Sequence, residues 1–297
     1  MISEKPVTNY SKCKNCIDRT CLLTIDQVLE KTYVPREKEK KFGNFIYGKL
    51  PKSLFLSCIN LNHRVRGKRI IKYEKTDYGW VIHYDTYDLH SPRPQWINST
   101  VERFREEFEC FYPIVPGDTC VDVGACVGDT TLPIIVGAGD KGRVIAVEPM
   151  PENIKYLKMN LAKYPNTEIL PYAVSDKKGK MKFYLHDTPT GHSLAYVEGR
   201  DFGVMEVDTM PLNDMFGGRK IDFCKIDVQG FEANILPGQE EFYKNVDKLV
   251  IETHARYSPE NATYPPCLRA LKNQPLDVKF CIVDGVIHCR GGYRKKN

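Results

Sequence analysis

From about residue 117 onward the chain alternates short apolar runs with amphipathic segments. Runs at 119–123, 143–147, 167–174, 221–227 and 248–254 read as buried strands, and 130–136 and 151–164 read as helices between them. Strands separated by helices cannot close as hairpins, so the expected fold is α/β with a doubly wound, mostly parallel sheet. Such sheets bind ligands beyond the carboxyl ends of their strands, which directs attention to the residues that end each run. The stretches 180–186 and 204–208 read as an inserted pair of strands around a polar loop, 187–203. The chain ends on a hairpin, 278–283 and 286–289, turned by Asp284-Gly285.

Residues 1–98 lack this rhythm and are expected to form an N-terminal α+β extension, with residues 99–297 as the main domain. A short helix from Asp18 or Thr20 to Glu30, strands at 53–59, 69–73 and 80–84, and a helix over 99–108 are the expected pieces. The extension is basic: residues 1–110 hold 20 Lys/Arg against 14 Asp/Glu, whereas 111–297 hold 23 against 24. An anionic partner and a solvated mixed-charge face are both readings of that excess. Cys13, Cys16 and Cys21 have the close spacing of zinc or iron ligands, without a second complete Cys-x-x-Cys pair. The apolar run 132–138 is far too short to span a membrane, and the first residues lack the apolar segment of a secretory signal. With an odd count of 11 cysteines and no need of a disulfide framework, a cytoplasmic location is expected. Nothing in the sequence sets an oligomeric state.

The strongest local signal is the strand and turn from Cys120 to Thr130. Gly124 and Gly128 lie in the turn, but the dinucleotide spacing Gly-x-Gly-x-x-Gly is missing, as is the Gly-Lys-Ser/Thr of a phosphate loop. Asp122 and Asp129 beside the turn disfavour a pyrophosphate and suit a cationic ligand, such as a sulfonium carrying an ammonium group. Glu148, 24 residues after Gly124 at the end of the next strand, is placed to accept hydrogen bonds from ribose hydroxyls.

Four segments in order, VDVGACVGDTT (121–131), VIAVEPMPENIKYLKMNL (144–161), PYAVSDKKGKMKFYLH (171–186) and IDFCKIDVQGFEANILPG (221–238), resemble the FkbM-type methyltransferases. That family belongs to the class I, Rossmann-like, S-adenosylmethionine-dependent fold. The resemblance implies a seven-stranded sheet whose last strand runs antiparallel, and O-methyl transfer to a carbohydrate or small-metabolite hydroxyl. With the turn and strand ends, it nominates Asp122, Gly124, Ala125, Gly128, Asp129, Thr130, Glu148, Pro149, Ala173, Val174 and Asp227 for S-adenosylmethionine. Two positions depart from the family pattern: Cys126 replaces the usual Asn, and Gln229 replaces the Glu of an Asp-Val-Glu-Gly motif.

An alcohol acceptor benefits from a general base. His254, on the strand-end face it shares with Glu252 and near Asp227, is the first choice, with an ordinary pKa near 6.5. Asp227 is expected to orient cofactor or acceptor. Asp227, Glu252 and His254 together are also a candidate magnesium site. His192 and Ser193, in the polar insertion, are candidate acceptor contacts. Competing functions are a nucleic-acid methyltransferase using Arg64 to Arg69, a nicotinamide oxidoreductase and a catalytically silent cofactor-binding module.

Overall fold

The computed structural model describes residues 22–23, 25–29, 72–93, 101–186, 191–196, 202–254, 262–281 and 285–291. Cys13, Cys16, Cys21, the expected strand at 53–59 and the basic stretch Arg64 to Arg69 lie outside the described residues. Strand β1 (Leu22–Leu23) and helix α1 (Ile25–Leu29) come first. A meander follows: β2 (Lys72–Thr76), β3 (Gly79–His83) and β4 (Asp88–Ser91), the first two joined by the turn at Asp77-Tyr78. Helix α2 (Val101–Glu107) leads into β5 (Thr119–Val123), α3 (Thr131–Ala138), β6 (Arg143–Val147), α4 (Pro151–Leu161) and β7 (Thr167–Leu170).

The expected single strand over 167–174 is two strands. Pro171 has no N–H to give a ladder, and the Tyr172 N–H turns back onto the Leu170 carbonyl. After that bend, β8 (Ala173–Val174) joins a different sheet, with β9 (Gly179–Tyr184) and β10 (Val204–Met210) in the order β8-β10-β9. The inserted pair therefore has a third member, and the bend brings Ala173 and Val174 to the ends of the parallel strands.

Helix α5 (Leu212–Phe216) precedes β11 (Ile221–Ile226). Then come α6 (Glu232–Ile235), α7 (Glu240–Asn245), β12 (Val246–Glu252), α8 (Tyr264–Leu271), β13 (Leu276–Cys281) and β14 (Val286–Gly291). The main sheet runs β1-β13-β14-β12-β11-β5-β6-β7. Strands β5, β6, β7, β11 and β12 are mutually parallel, and β14 is antiparallel to both its neighbours. This is the seven-stranded class I methyltransferase sheet with its one reversed strand. An eighth strand, β1, lies at the edge, where Leu22 and Leu23 pair antiparallel with Cys281 and Phe280.

Both faces of the sheet are covered. Val121, Val123, Ile145 and Val147 belong to one core, and Cys120, Val144, Ala146 and Phe223 to the other. Alternate residues of the same strands thus serve opposite layers, which is why β11 is buried along its whole length.

Helix α4 carries more than apolar residues inward. Its buried face holds Asn153, Tyr156, Leu157, Asn160 and Leu161, whereas Ile154 and Met159 are half-buried. Tyr156 donates its hydroxyl to the Tyr78 carbonyl at 2.7 Å. The Asn160 amide donates to the carbonyls of His90 at 2.9 Å and Val127 at 2.7 Å, and its oxygen accepts the His90 N–H at 2.6 Å. One side chain thereby ties the β2–β4 meander to the glycine turn. Asn160→Ala should destabilise the protein by about 1–3 kcal/mol, because buried polar groups lose their partners. Chemical denaturation measures the loss, and hydrogen exchange should show it concentrated in residues 88–91; an unchanged midpoint would contradict this role.

Candidate active site

The carboxyl ends of β5, β6 and β11 open into one pocket, roofed by β8, Phe183 of β9 and the segment 192–194. Of the residues nominated from sequence, Gly124, Asp129, Thr130, Glu148, Pro149, Ala173, Val174, Asp227 and His192 line it. Asp122, Ala125, Gly128, Ser193, Glu252 and His254 are not among the lining residues. Each of these six has a structural setting of its own.

Asp122 is fully buried behind the turn. Its carboxylate accepts the hydroxyls of Thr130 at 2.9 Å and Thr131 at 2.7 Å, and lies 3.3 Å from the Lys225 ammonium. The expected contact of Asp122 with a ligand is thus replaced by a clamp on the start of α3. The Ala125 N–H donates to the Val147 carbonyl, and the Gly128 N–H donates to the Ala125 carbonyl, so both residues shape the turn. Ser193 donates to the Val228 carbonyl at 3.0 Å and accepts the Ala195 N–H, which anchors the roof segment to the residues after β11.

Gly124 has φ +79, and a Cβ there would collide with the Asp227 carbonyl oxygen. The obstacle is the end of the neighbouring strand. The Asp227 N–H also donates to the Val123 carbonyl at 3.0 Å, so the two ends are bonded where they touch.

Glu148 is buried at the mouth of β6. One oxygen accepts the Cys126 N–H at 2.9 Å, and the other accepts the Met150 N–H at 2.9 Å and the Asn153 amide at 3.2 Å. Burial pushes its pKa up to about 7, against the pull of those three donors. Cys126 and Gln229, the two departures from the family pattern, are also the two non-glycine residues with positive φ among the described residues, +50 and +55. Each is held by a hydrogen bond to an acid of the pocket, Cys126 through its N–H to Glu148 and Gln229 through its amide to Asp227 at 2.8 Å. A Glu at 229 would set a second carboxyl against Asp227; the amide supplies a donor instead.

Asp227 is the acid that faces both pocket and interior. Burial opposes its ionisation, but Lys225 at 3.7 Å, His254 at 3.7 Å and the Gln229 amide outweigh that, and its pKa is lowered. His254 lies behind it. Nδ1 is 2.8 Å from Glu232 Oε1, and Nε2 faces Asp227. Burial alone would favour the neutral ring, but Glu232, Asp227 and Glu252 hold its pKa up to about 9. The expected neutral imidazole near pH 6.5 is therefore an imidazolium at neutral pH. Glu252, raised to about 7 by burial and by Asp227, completes the group. His192 is the opposite case: its Nδ1 accepts the His186 N–H at 2.9 Å, and burial, then His186 and Arg93, lower its pKa to about 4. It is a neutral ring whose remaining N–H can donate into the pocket.

The magnesium set expected from sequence is rearranged. Asp227, Glu232 and His254 bring one ligand atom each within 4.8 Å of one another, and Glu252 is not part of that group. The donor set fits a shared proton better than a hard cation, because its only ring is already bonded to Glu232 and charged. No step is derived through a metal.

Sequence reasoning missed Lys225, Glu232 and Asn153. Lys225 was visible as a cation inside the apolar run 221–226, which in a buried strand demands a partner. Glu232 and Asn153 sit on the first turns of α6 and α4 with no distinguishing pattern.

Comparison with known proteins agrees with the geometry. The family described as the methyltransferase FkbM domain matches residues 122–274, and the chain belongs to that family. A curated relative, the hexuronic acid methyltransferase AglP of Haloferax volcanii, is 27% identical over 150 residues, covering 49% of this chain and 60% of AglP. The chain thus spans less than two thirds of that relative's length. Among solved structures, a SAM-dependent methyltransferase of Aquifex aeolicus is 18% identical, with 64% of this chain and 88% of that one covered and a TM-score of 0.39. Aeropyrum pernix fibrillarin with bound S-adenosyl-L-methionine is 11% identical, with 74% and 98% covered and a TM-score of 0.41.

The contact at Gly124 gives a direct test. Gly124→Ala must open the junction between β5 and β11 as well as strain a positive φ, which alone costs about 1–3 kcal/mol. A fall in the denaturation midpoint is expected; an unchanged midpoint would mean that the two ends do not touch as described.

Proposed function

We propose that the chain is an S-adenosylmethionine-dependent O-methyltransferase acting on a hydroxyl of a carbohydrate or small metabolite. The observation that carries this reading is the pairing of Glu148, at the end of β6, with Asp129 and Asp227 across one pocket whose other wall is Val174, Phe183, Leu194 and Phe231. Acidic groups suit a cationic ligand, the apolar wall suits an adenine ring, and Glu148 has lone pairs left for ribose hydroxyls. Bound there, S-adenosylmethionine supplies an electrophilic methyl group. Glu148, Asp129, Pro149, Ala173 and Val174 would hold it, and Asp227 would face the acceptor. The carbohydrate class is supported by the relative in Haloferax volcanii, whose name specifies hexuronic acid.

In this reading the protein's own work is to bind, to align and to move one proton. His192 donates a hydrogen bond to the acceptor. Asp227 accepts one from the acceptor hydroxyl, and His254, once neutral, receives the proton across the Asp227–His254 contact. Separations such as the present 3.7 Å commonly tighten when substrates bind. The same proposal takes residues 99–297 as the transferase unit with 1–98 as an extension. It also takes the compartment as the cytoplasm, supported by the free, buried thiols of Cys120, Cys224, Cys267 and Cys289. No helix among the described residues is long and apolar enough to cross a membrane.

Two measurements test the reading. Calorimetry with S-adenosylhomocysteine should show affinity rising as pH passes upward through about 7, where Glu148 ionises and becomes the stronger acceptor. Glu148→Ala should weaken binding by about 1–3 kcal/mol and flatten that dependence; unchanged affinity in a folded variant would remove Glu148 from the cofactor site. In a methyl-transfer assay over a panel of glycans and metabolites, kcat/KM should rise with pH to a limb near 9, because the base is available only after His254 loses its proton. His254→Ala should lower turnover by about 10²–10⁴-fold. Full turnover without His254 would exclude it as the proton acceptor.

A further inference from the structure

Glu232 is a fully buried carboxylate on α6, outside the pocket lining. Its Oε1 accepts the Gly230 N–H at 2.9 Å and lies 2.8 Å from His254 Nδ1, while Oε2 has no hydrogen-bond partner. Burying a carboxylate with one oxygen unpaired is costly, and only a nearby positive charge makes it tolerable. Lys225 is committed to Asp122 and Asp227, so the charge that answers Glu232 is on His254. The histidine backbone is pinned as well: its N–H donates to the Thr263 hydroxyl at 2.9 Å, and its carbonyl accepts the Thr263 N–H at 2.8 Å. The ring therefore has one nitrogen turned to Glu232 and the other to Asp227.

We propose that Glu232 is the positioning residue of this site: it keeps the His254 proton on Nδ1, presents Nε2 to Asp227 and the pocket, and sets the pH at which Nε2 becomes free. The proposal rests on the reading of His254 as proton acceptor. The arrangement has the logic of a buried carboxylate orienting a histidine base, here with a second carboxylate, Asp227, between the base and the acceptor. The charges that act on His254 are Glu232 from α6, Asp227 from the end of β11 and Glu252 from β12. Lys225 acts on Asp227 and Glu252, and Glu107 acts on Glu252. Cys267 of α8 is near Glu232 and stays a neutral thiol, since burial and Glu232 push its pKa well up. Removing Glu232 takes away the nearest negative charge, so His254 should lose its proton at lower pH.

The test uses the full chain labelled with 15N-histidine, with the His254 signals identified by their absence in His254→Asn. In the wild-type protein the ring should titrate near pH 9 and carry its proton on Nδ1 when neutral. In Glu232→Gln the midpoint should fall by about 1–3 pH units, and Glu232→Asp should restore part of the difference. S-adenosylhomocysteine affinity should be unchanged, which separates this role from general damage to the pocket. An unmoved midpoint in Glu232→Gln would overturn the proposal, and so would a wild-type neutral ring protonated on Nε2. The second result decides the matter even if neither variant folds. None of these readouts needs a methyl acceptor. If the midpoint falls but the kcat/KM limb stays in place, the positioning role of Glu232 stands and the reading of His254 as base fails.

Discussion

Lys225 is the interaction on which the site depends. It is a cation near the carboxyl end of a buried strand, 1% exposed, with its ammonium 3.3 Å from Asp122 and 3.7 Å from Asp227. Burial alone would strip its proton, but the two carboxylates more than reverse that and its pKa is raised. Lys225 and Asp122 are also register partners across β11 and β5, so the ion pair and the backbone ladder specify the same alignment. Taking away Lys225 would leave the Asp122 carboxylate buried without a cation, which costs about 3–5 kcal/mol. Asp122, held this way, clamps Thr130 and Thr131 at the start of α3. Asp227, held this way, lies against Gly124 and faces the pocket. Floor, turn and acid wall are thus one assembly.

Around that assembly the environment drives like groups apart. His192 is half-buried beside His186 and Arg93 and stays neutral as a donor; His254 is half-buried among carboxylates and stays charged until about pH 9. Asp227 is kept ionised by two cations, Lys225 and His254, and by the Gln229 amide, whereas Glu148 and Glu252 hold their protons until about pH 7. Titratable groups of one kind separated in this way mark a site built for proton handling and binding. Gln229 belongs to the same design, because its amide stabilises the charge on Asp227 at the position where a carboxyl would oppose it.

Much of this was legible in the residues. Strands 119–123 and 143–147 were read to the residue, and Gly124, Glu148 and Asp227 were placed at strand ends, because a parallel sheet fixes where its strands end relative to one another. Four things were not legible. Pro171 splits one apolar run between two sheets, and the run's composition is the same either way. Asp122 was read as facing the ligand, since a strand pattern reports alternation and not which partner claims a carboxylate. His254 was given an ordinary pKa, because the neighbour that raises it, Glu232, reaches the ring from a different element. The eighth strand was missed because Leu22 and Leu23 continue the apolar stripe of the helix expected from Asp18 or Thr20 to Glu30, whereas they form β1 and the helix begins at Ile25.

The central claim is that the pocket at the ends of β5, β6 and β11 takes a cationic, ribose-bearing ligand and rejects a pyrophosphate. Parallel calorimetric titrations of the full chain with S-adenosylmethionine and with NADH test it most directly. The account predicts one S-adenosylmethionine bound per chain and no measurable heat from NADH. Saturable binding of NADH, or no binding of S-adenosylmethionine by the folded protein, would contradict it.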